Sequence, residues 1–264
     1  MTKYKAIVSD FDGTLVDHTH RLTTKAQEAI TEFIRSGKIF SIATGRGYPG
    51  ALEKVCKELN MIHPVIVRGG SEIIDPQTGE VIWAKYINPE TLKRLIDYLS
   101  LKTTLFFAAE RGDSVYSKGG VADLEFGEGA IFKDIKNMEL DTVPKVVVPP
   151  LNSLEQIEPL LEQLVSLFPD LHIVKITSRK GVGLDINDGG AGKHIALLTY
   201  AKLMQIDAKE IIGVGDSYND YPLLTACGYK VAMGNAPQEL KDIADLIVKN
   251  QESDGILEVL ELNI

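Results

Sequence analysis

Short apolar runs and helix-period segments take turns along the first third of the chain. "KAIVS" (residues 5–9) reads as a buried strand, after which Ala26, Ala29, Ile30, Phe33 and Ile34 recur at helical spacing. A Thr24/Gln27 capping box is predicted to open that helix and Gly37 to close it. "IFSIA" (39–43) is a second strand, Leu52, Val55, Cys56 and Leu59 mark a second helix, and "PVIV" (64–67) a third strand. This β-α-β-α-β order with short connections predicts an α/β fold, a doubly wound parallel sheet covered on both faces.

From Glu80 to about Asn187 the rhythm changes. Hairpin-like strands ("TLFFAAE", "KVVVPP", "HIVKIT", "GVGLDIN"), a Gly-rich acidic stretch, "GGVADLEFGEG" (119–129), and amphipathic helices near 89–100 and 154–168 read as α+β. The winding then resumes: "GKHIALLTYAKLM" (192–204) is a helix, "IIGVG" (211–215) a buried strand, "YPLLTAC" a helix, and "YKVAM" and "DLIVK" two further strands. One α/β core, residues 1–81 and 188–264, carrying an inserted α+β cap, 82–187, accounts for the pattern.

Composition narrows the function. The 264 residues are 44% apolar and 25% charged, enough for a sizeable core, and the net charge of -9 disfavours nucleic acid or an anionic membrane surface as partner. A small ligand is the better expectation. Cys56 and Cys227, in separate segments, read as reduced packing thiols. The first apolar stretch is too short for a signal peptide, and no apolar span of about 20 residues occurs, so a cytoplasmic location is expected.

Ligands of open α/β sheets bind beyond the carboxyl ends of the strands, and here those ends converge chemically. The first strand ends in Asp10-Phe11-Asp12-Gly13-Thr14 and the second in Thr44-Gly45-Arg46. The helix after the insertion opens with Gly192-Lys193, and the next strand runs into "GDSYND", with Asp216, Asn219 and Asp220. Four carboxylates crowded at one edge repel unless a cation sits among them, and all-oxygen ligation suits Mg2+. The same set suits phosphoryl transfer: a carboxylate attacks phosphorus, the metal and the lysine neutralise the phosphoryl oxygens, and a hydroxyl plus backbone N–H groups hold them in line. On this reading Asp10 attacks. Asp12, swung in by the turn at Gly13, protonates the departing alkoxide and later deprotonates water.

These motifs resemble those of the haloacid dehalogenase superfamily, specifically its Cof-type sugar-phosphate phosphatases. "DFDGTL" is similar to the first motif, "SIATGR" to the second, Lys193 in "GAGKHIAL" to the third and "GVGDSYNDYPLL" to the fourth, with "AMGNAP" (232–237) and "SDGILEVL" (253–260) also similar to that subgroup. The resemblance implies a Rossmann-like core with an inserted cap, Asp10 as nucleophile and Asp12 as acid/base. It implies phosphate binding by Thr44, Gly45 and Lys193, with Asn219 reaching the lysine or phosphate region. It further implies Mg2+ held by Asp10, the main-chain carbonyl of Asp12 and Asp216, with Asp220 in support. The chain departs from the pattern at Gly69-Gly70-Ser71, where the family often has Asn-Gly-Ala, and at Lys193-His194, where Lys-Gly is common.

The expected substrate is a small phosphorylated metabolite, a sugar phosphate, hydrolysed under a cap that excludes polymers. Two alternatives stand beside it: a phosphomutase, which returns the phosphoryl group to a sugar, and a phospho-acceptor switch, against which Asp12 argues because an acid/base hastens loss of the aspartyl-phosphate. Arg46 is read as a substrate or cap contact or a solvated charge. Arg179 and Lys180, in the turn "SRKGVG", are candidate substrate contacts. His18 and His20 have no third ligand nearby and read as surface residues.

Overall fold

Ala6–Ser9 (β1) is apolar without alternation because both of its faces are covered. Ile7 packs with one buried cluster, Ala6 and Val8 with another. The structure, a computed structural model, describes residues 4–102, 105–118, 130–178 and 180–262.

After β1 come α1 (Thr24–Arg35), β2 (Ile39–Ile42), α2 (Ala51–Glu58), and the strands β3 (Val65–Val67), β4 (Glu72–Ile74) and β5 (Val81–Ala84). The next segment holds α3 (Pro89–Leu101), β6 (Ala108–Arg111), β7 (Ser114–Ser117), β8 (Ile131–Asp134), β9 (Lys145–Asn152), α4 (Leu154–Leu167), β10 (Leu171–Ser178) and β11 (Gly181–Asp188). The chain closes with α5 (Lys193–Leu203), β12 (Ile211–Gly215), α6 (Tyr221–Ala226), β13 (Tyr229–Ala232), α7 (Gln238–Asp242), β14 (Leu246–Ile247) and α8 (Gly255–Leu260).

The core is a parallel sheet of order β14-β13-β12-β1-β2. Its register explains the site: Ser9 lies level with Val214 on β12 and Ile42 on β2, so the residues that follow emerge side by side at one edge. The expected third parallel strand is only partly so. β3 meets the sheet through a single parallel bridge, Ala43 to Ile66, and otherwise forms an antiparallel three-stranded arm with β4 and β5. A boundary at residue 81 therefore falls at the first residue of β5, and the second hydrophobic cluster begins at Ile87.

The inserted segment builds a six-stranded sheet, β10-β11-β9-β6-β7-β8, with α3 and α4 packed on one face around Leu95, Leu99, Val146, Leu160, Leu184 and Ile186. Strand β6 starts at Ala108, later than "TLFFAAE" suggests, and the short polar strands β7 and β8 were not expected from pattern. The Gly-rich stretch 119–129 lies outside the described residues, as does Arg179.

Helix α1 also starts differently. Its N-cap is Thr23, whose extended backbone lets the hydroxyl accept from Ala26 N at 3.1 Å, so no Thr24/Gln27 box forms. The Thr23 hydroxyl donates in turn to Asp254, which selects it over its neighbour. Gly37 does end the helix, at φ 83°, with its N–H on Ile34 O. Cys56 and Cys227 are buried free thiols, and burial pushes Cys56 up to about 12. No helix among the described residues is long and apolar enough to cross a membrane.

Candidate active site

Asp10 follows β1, 4% exposed, with its N–H on Val214 O. One carboxylate oxygen accepts from Lys193 Nζ at 2.5 Å, and the same ammonium donates to Asp220 Oδ1 at 2.6 Å. Lys193 is the first residue of α5, behind Gly192 at φ 120°. The backbone of Gly70 sits so close that a Cβ there would fall 2.2 Å from the Gly192 carbonyl carbon, so only glycine lets this turn brace the start of the helix.

Asp220 Oδ2 accepts the N–H groups of Asp216 and Ser217, both at 3.0 Å. Its oxygens are thereby engaged, and it fixes the loop after β12. Asp216 is held from two sides, by Thr14 Oγ1 at 2.8 Å and Asn235 Nδ2 at 2.8 Å, and Asn235 also donates to Gly13 O. Gly13, at φ 76°, is what permits this approach, since a Cβ there would stand 2.4 Å from Asp216 Oδ2.

Asp10, Asp216 and Asp220 bring one oxygen each to within 4.8 Å of one another. Burial first, then the negative charge of Asp220, raises Asp10 well above the usual carboxylate range, and the same causes push Asp216 up to about 7. Burial works against the charge on Lys193, yet Asp10 and Asp220 overcome it and its pKa is raised. Two buried carboxylates, Asp10 and Asp220, thus share one ammonium, with the part-buried Asp216 beside them. An all-oxygen cluster short of positive charge fits a hard divalent cation such as Mg2+.

Asp12 stands apart. Its side chain is 43% exposed and gripped by Arg46 through two parallel bonds, Nε to Oδ2 at 2.6 Å and Nη2 to Oδ1 at 2.8 Å, with His20 Nε2 2.6 Å from the same Nη2. Arg46, 19% exposed, is thus ion-paired with Asp12, and both it and His20 line the cavity over Asp10. Thr44 is buried, its hydroxyl accepting from Arg46 N at 3.1 Å. Asn219 Oδ1 is buried without a hydrogen-bond partner, and the Lys193 bonds go to Asp10 and Asp220. Thr44, Gly45, Asn219 and the exposed Lys180 all line one cavity of about 1130 Å³ over Asp10.

The far wall of that cavity comes from the inserted sheet, through Glu110, Lys145 and Asp185. They belong to a buried ionic network that runs between the three-stranded arm and the inserted sheet. Arg68, at φ 52° after β3, pairs with Glu72 (2.9 Å) and Glu110 (2.8 Å) and donates to Gly112 O. Lys145 Nζ bonds Asp185 at 3.0 Å and the Gly45 carbonyl at 2.8 Å. The Gly69-Gly70-Ser71 turn is read from the other side: Asn187 Nδ2 donates to Arg68 O and Ser71 Oγ, and a Cβ on Gly69 would meet Asn187 Oδ1 at 3.1 Å. A side chain from β11 occupies the space that a larger residue 69 would fill.

Thr14, Asn235, Arg68, Glu110, Lys145 and Asp185 were not anticipated from sequence. A signal existed for Asn235, in "AMGNAP" just past β13 at the same sheet edge. For Lys145 and Asp185 it was a charge set inside apolar strands, "PKVVV" and "GLDIN".

A model of the haloacid dehalogenase-like hydrolases matches residues 7–260. The chain is 26% identical to the putative phosphatase YxeH of Bacillus subtilis over 262 residues, 96% of each chain. It is 27% identical to a phosphoglycolate phosphatase of Methanobrevibacter smithii over 258 residues, 97% of each. Among solved structures, a haloacid dehalogenase-like hydrolase from B. subtilis superimposes with a TM-score of 0.83 at 22% identity, covering 98% of this chain and all of the other.

Proposed function

The chain belongs to the haloacid dehalogenase-like hydrolases, and from that premise we propose that it is a Mg2+-dependent phosphatase acting on a small phosphorylated metabolite, a sugar phosphate, through an aspartyl-phosphate on Asp10. The observation that carries the reading is the buried Asp10 carboxylate, bonded to Lys193 and facing two further carboxylates beneath a large cavity. The names of its relatives agree with a phosphate-ester substrate.

Asp10, Asp216 and the main-chain carbonyl of Asp12 would hold the ion, while Asp220, engaged by Lys193 and two backbone N–H groups, fixes the loop. The bound ion supplies positive charge that lets a carboxylate approach an anionic phosphoryl group. Lys193 adds a second positive charge at Asp10, and Thr44 with the Gly45 backbone offers donors to the phosphoryl oxygens. Asp10 attacks phosphorus, the ester P–O bond breaks, and protonated Asp12 gives its proton to the leaving oxygen. Asp12 then takes a proton from water as that water attacks, the bond from phosphorus to Asp10 breaks, and phosphate leaves. For either transfer Asp12 must exchange its Arg46 partner for the reacting oxygen, so the side chain has to turn inward from the position seen here. The inserted segment acts as a cap that excludes bulk water and polymers.

Release of inorganic phosphate from a panel of phosphorylated metabolites, with Mg2+ and with excess chelator, tests this. Turnover with Mg2+ alone is expected. Turnover that persists in chelator overturns the metal dependence, and no release from any ester overturns the phosphatase reading.

A further inference from the structure

The three peptide carbonyls of the Thr44-Gly45-Arg46 loop are all held, but not by the same part of the molecule. Thr44 O accepts from Gly69 N at 2.9 Å and Arg46 O from Arg68 N at 2.7 Å, both backbone bonds to the turn after β3. The middle one, Gly45 O, is held by a side chain of the inserted sheet, Lys145 Nζ at the start of β9, at 2.8 Å. Lys145 is 5% exposed and faced by Asp185 at 3.0 Å and by Glu110 Oε1 at 3.6 Å. The pair rests directly on the loop, since a Cβ on Gly45 would lie 3.3 Å from Asp185 Oδ2 and 3.8 Å from Lys145 Nζ. Stability alone does not call for this arrangement, because taking both charges out of water offsets most of what their pairing returns, and apolar side chains of similar size serve as well.

What the ammonium does to the loop follows from peptide geometry. The peptide unit is planar, so holding Gly45 O fixes the Arg46 N–H on its opposite side. That N–H donates to Thr44 Oγ1 at 3.1 Å. A cation on the carbonyl also polarises the peptide and strengthens its N–H as a donor. A threonine hydroxyl has one proton to give and two acceptor positions. With Arg46 N on one acceptor position, the proton is turned away from that peptide, and among the described residues it has no protein acceptor. Thr44 and Asp10 line the same cavity.

We propose that Lys145 is a positioning residue: by holding the Gly45 carbonyl it fixes the peptide whose N–H occupies Thr44 Oγ1, and so keeps the Thr44 hydroxyl proton for a phosphoryl oxygen. This rests on the phosphatase reading, which gives Thr44 that oxygen to bind. The inserted segment is then part of the phosphoryl site and not only its cover, so Lys145 matters even for a bare anion.

Orthovanadate, a small phosphoryl mimic, is the probe, its binding measured by titration calorimetry with Mg2+ present, and hydrolysis of p-nitrophenyl phosphate is followed beside it. Lys145→Met is expected to weaken orthovanadate binding by about ten-fold and to lower kcat/KM likewise, the scale of a hydrogen bond with a charged partner. Removing a positive charge weakens anion binding by itself, and a double-mutant cycle with Thr44→Val separates the two effects. In the Thr44→Val background Lys145→Met should cost less than about two-fold, because the hydroxyl through which it acts is gone. A loss undiminished by Thr44→Val overturns the proposal, since it marks a field or packing effect. So does a change below about two-fold for Lys145→Met in an enzyme whose wild type binds orthovanadate. If Lys145→Met does not fold, the same cycle is run in Asp185→Asn protein, where removing the ammonium strands no charge on residue 185, with the same expectations. If the wild type neither cleaves any ester nor binds orthovanadate, the phosphatase reading fails first and this one with it.

Discussion

Two buried ionic clusters face each other across the cavity, and they are built differently. The lower one, Asp10, Lys193, Asp216 and Asp220, comes from loops and a helix start beyond the strand ends, and sets three carboxylates against a single ammonium, bonded to Asp10 and Asp220. The upper one, Arg68, Glu72, Glu110, Lys145 and Asp185, comes mostly from strand side chains, and its three carboxylates meet two cations. The lower cluster is left short of positive charge, and on the proposed reading a divalent cation completes it. The upper one is largely neutralised internally and joins the three-stranded arm to the inserted sheet. Charge imbalance, more than burial, separates the cluster to which the proposed reading gives the chemistry from the one it does not.

The largest effect should come from Asp10→Asn. It removes the nucleophile with no neighbour able to replace it, so phosphate release should fall by a factor on the order of 10⁴. Mass spectrometry after acid quench should find no phosphorylated peptide containing residue 10. The upper cluster should answer in stability instead. Arg68→Met strands Glu72 and Glu110 in a buried site, and urea unfolding should register a loss of about 3–5 kcal/mol. A loss below about 1 kcal/mol would show that the network is hydrated and that the contrast between the clusters is false.

Asp12→Asn separates acid/base work from nucleophilic attack within the lower site. An alkoxide needs a proton to depart and a nitrophenolate hardly does, so the variant should lose about 10² more in kcat with a sugar phosphate than with p-nitrophenyl phosphate. Equal losses would reduce Asp12 to a turn residue held by Arg46. Mg2+ added to wild-type protein in chelator-treated buffer should raise the Tm, by up to about 2.7 kcal/mol of stability at a hundred times Kd. Asp216→Asn should blunt that rise and Arg68→Met should not, because the proposed ion sits in the lower cluster alone.

The smallest effect lies at the junction. His172, at the start of β10, and His194, beside Lys193, pack with ring centroids 5.2 Å apart. Burial lowers the pKa of both, and His194 lowers His172 further. Between the folded pKa and the usual value of 6.5 the unfolded chain binds a proton that the folded chain refuses, so this contribution to stability is complete above 6.5 and declines as pH falls below it. Relative to His172→Phe, the wild type should lose under about 1 kcal/mol on going from pH 7.5 to 5.5, measured by denaturant midpoints.

Much of this architecture was written locally. "KAIVS", "IFSIA" and "IIGVG" became neighbouring parallel strands because uninterrupted apolar runs have to be covered on both sides. The acidic and hydroxylic residues just past them could be named in advance because parallel strands end at one edge, and the level register of Ser9, Ile42 and Val214 brought Asp10 and Asp216 together beside Thr44. Less was legible where pairing is antiparallel and short. The β3-β4-β5 arm, β7, β8 and the Thr23 cap each depend on a partner distant in sequence, such as Asp254 for Thr23.

The sequence alone determined the chemistry of the strand ends, since each motif is contiguous and its residues stay together however the chain is placed. Tertiary structure alone decided which charges meet: that Arg46 grips Asp12, that Asn235 closes on Asp216, that Arg68 reaches Glu110 on the inserted sheet, and that Lys145 meets Asp185 within it. These pairs lie between 19 and 42 residues apart, and a charge inside a strand carries no mark of its partner. The partner is fixed by strand order and by the burial that makes an unpaired charge too costly to leave.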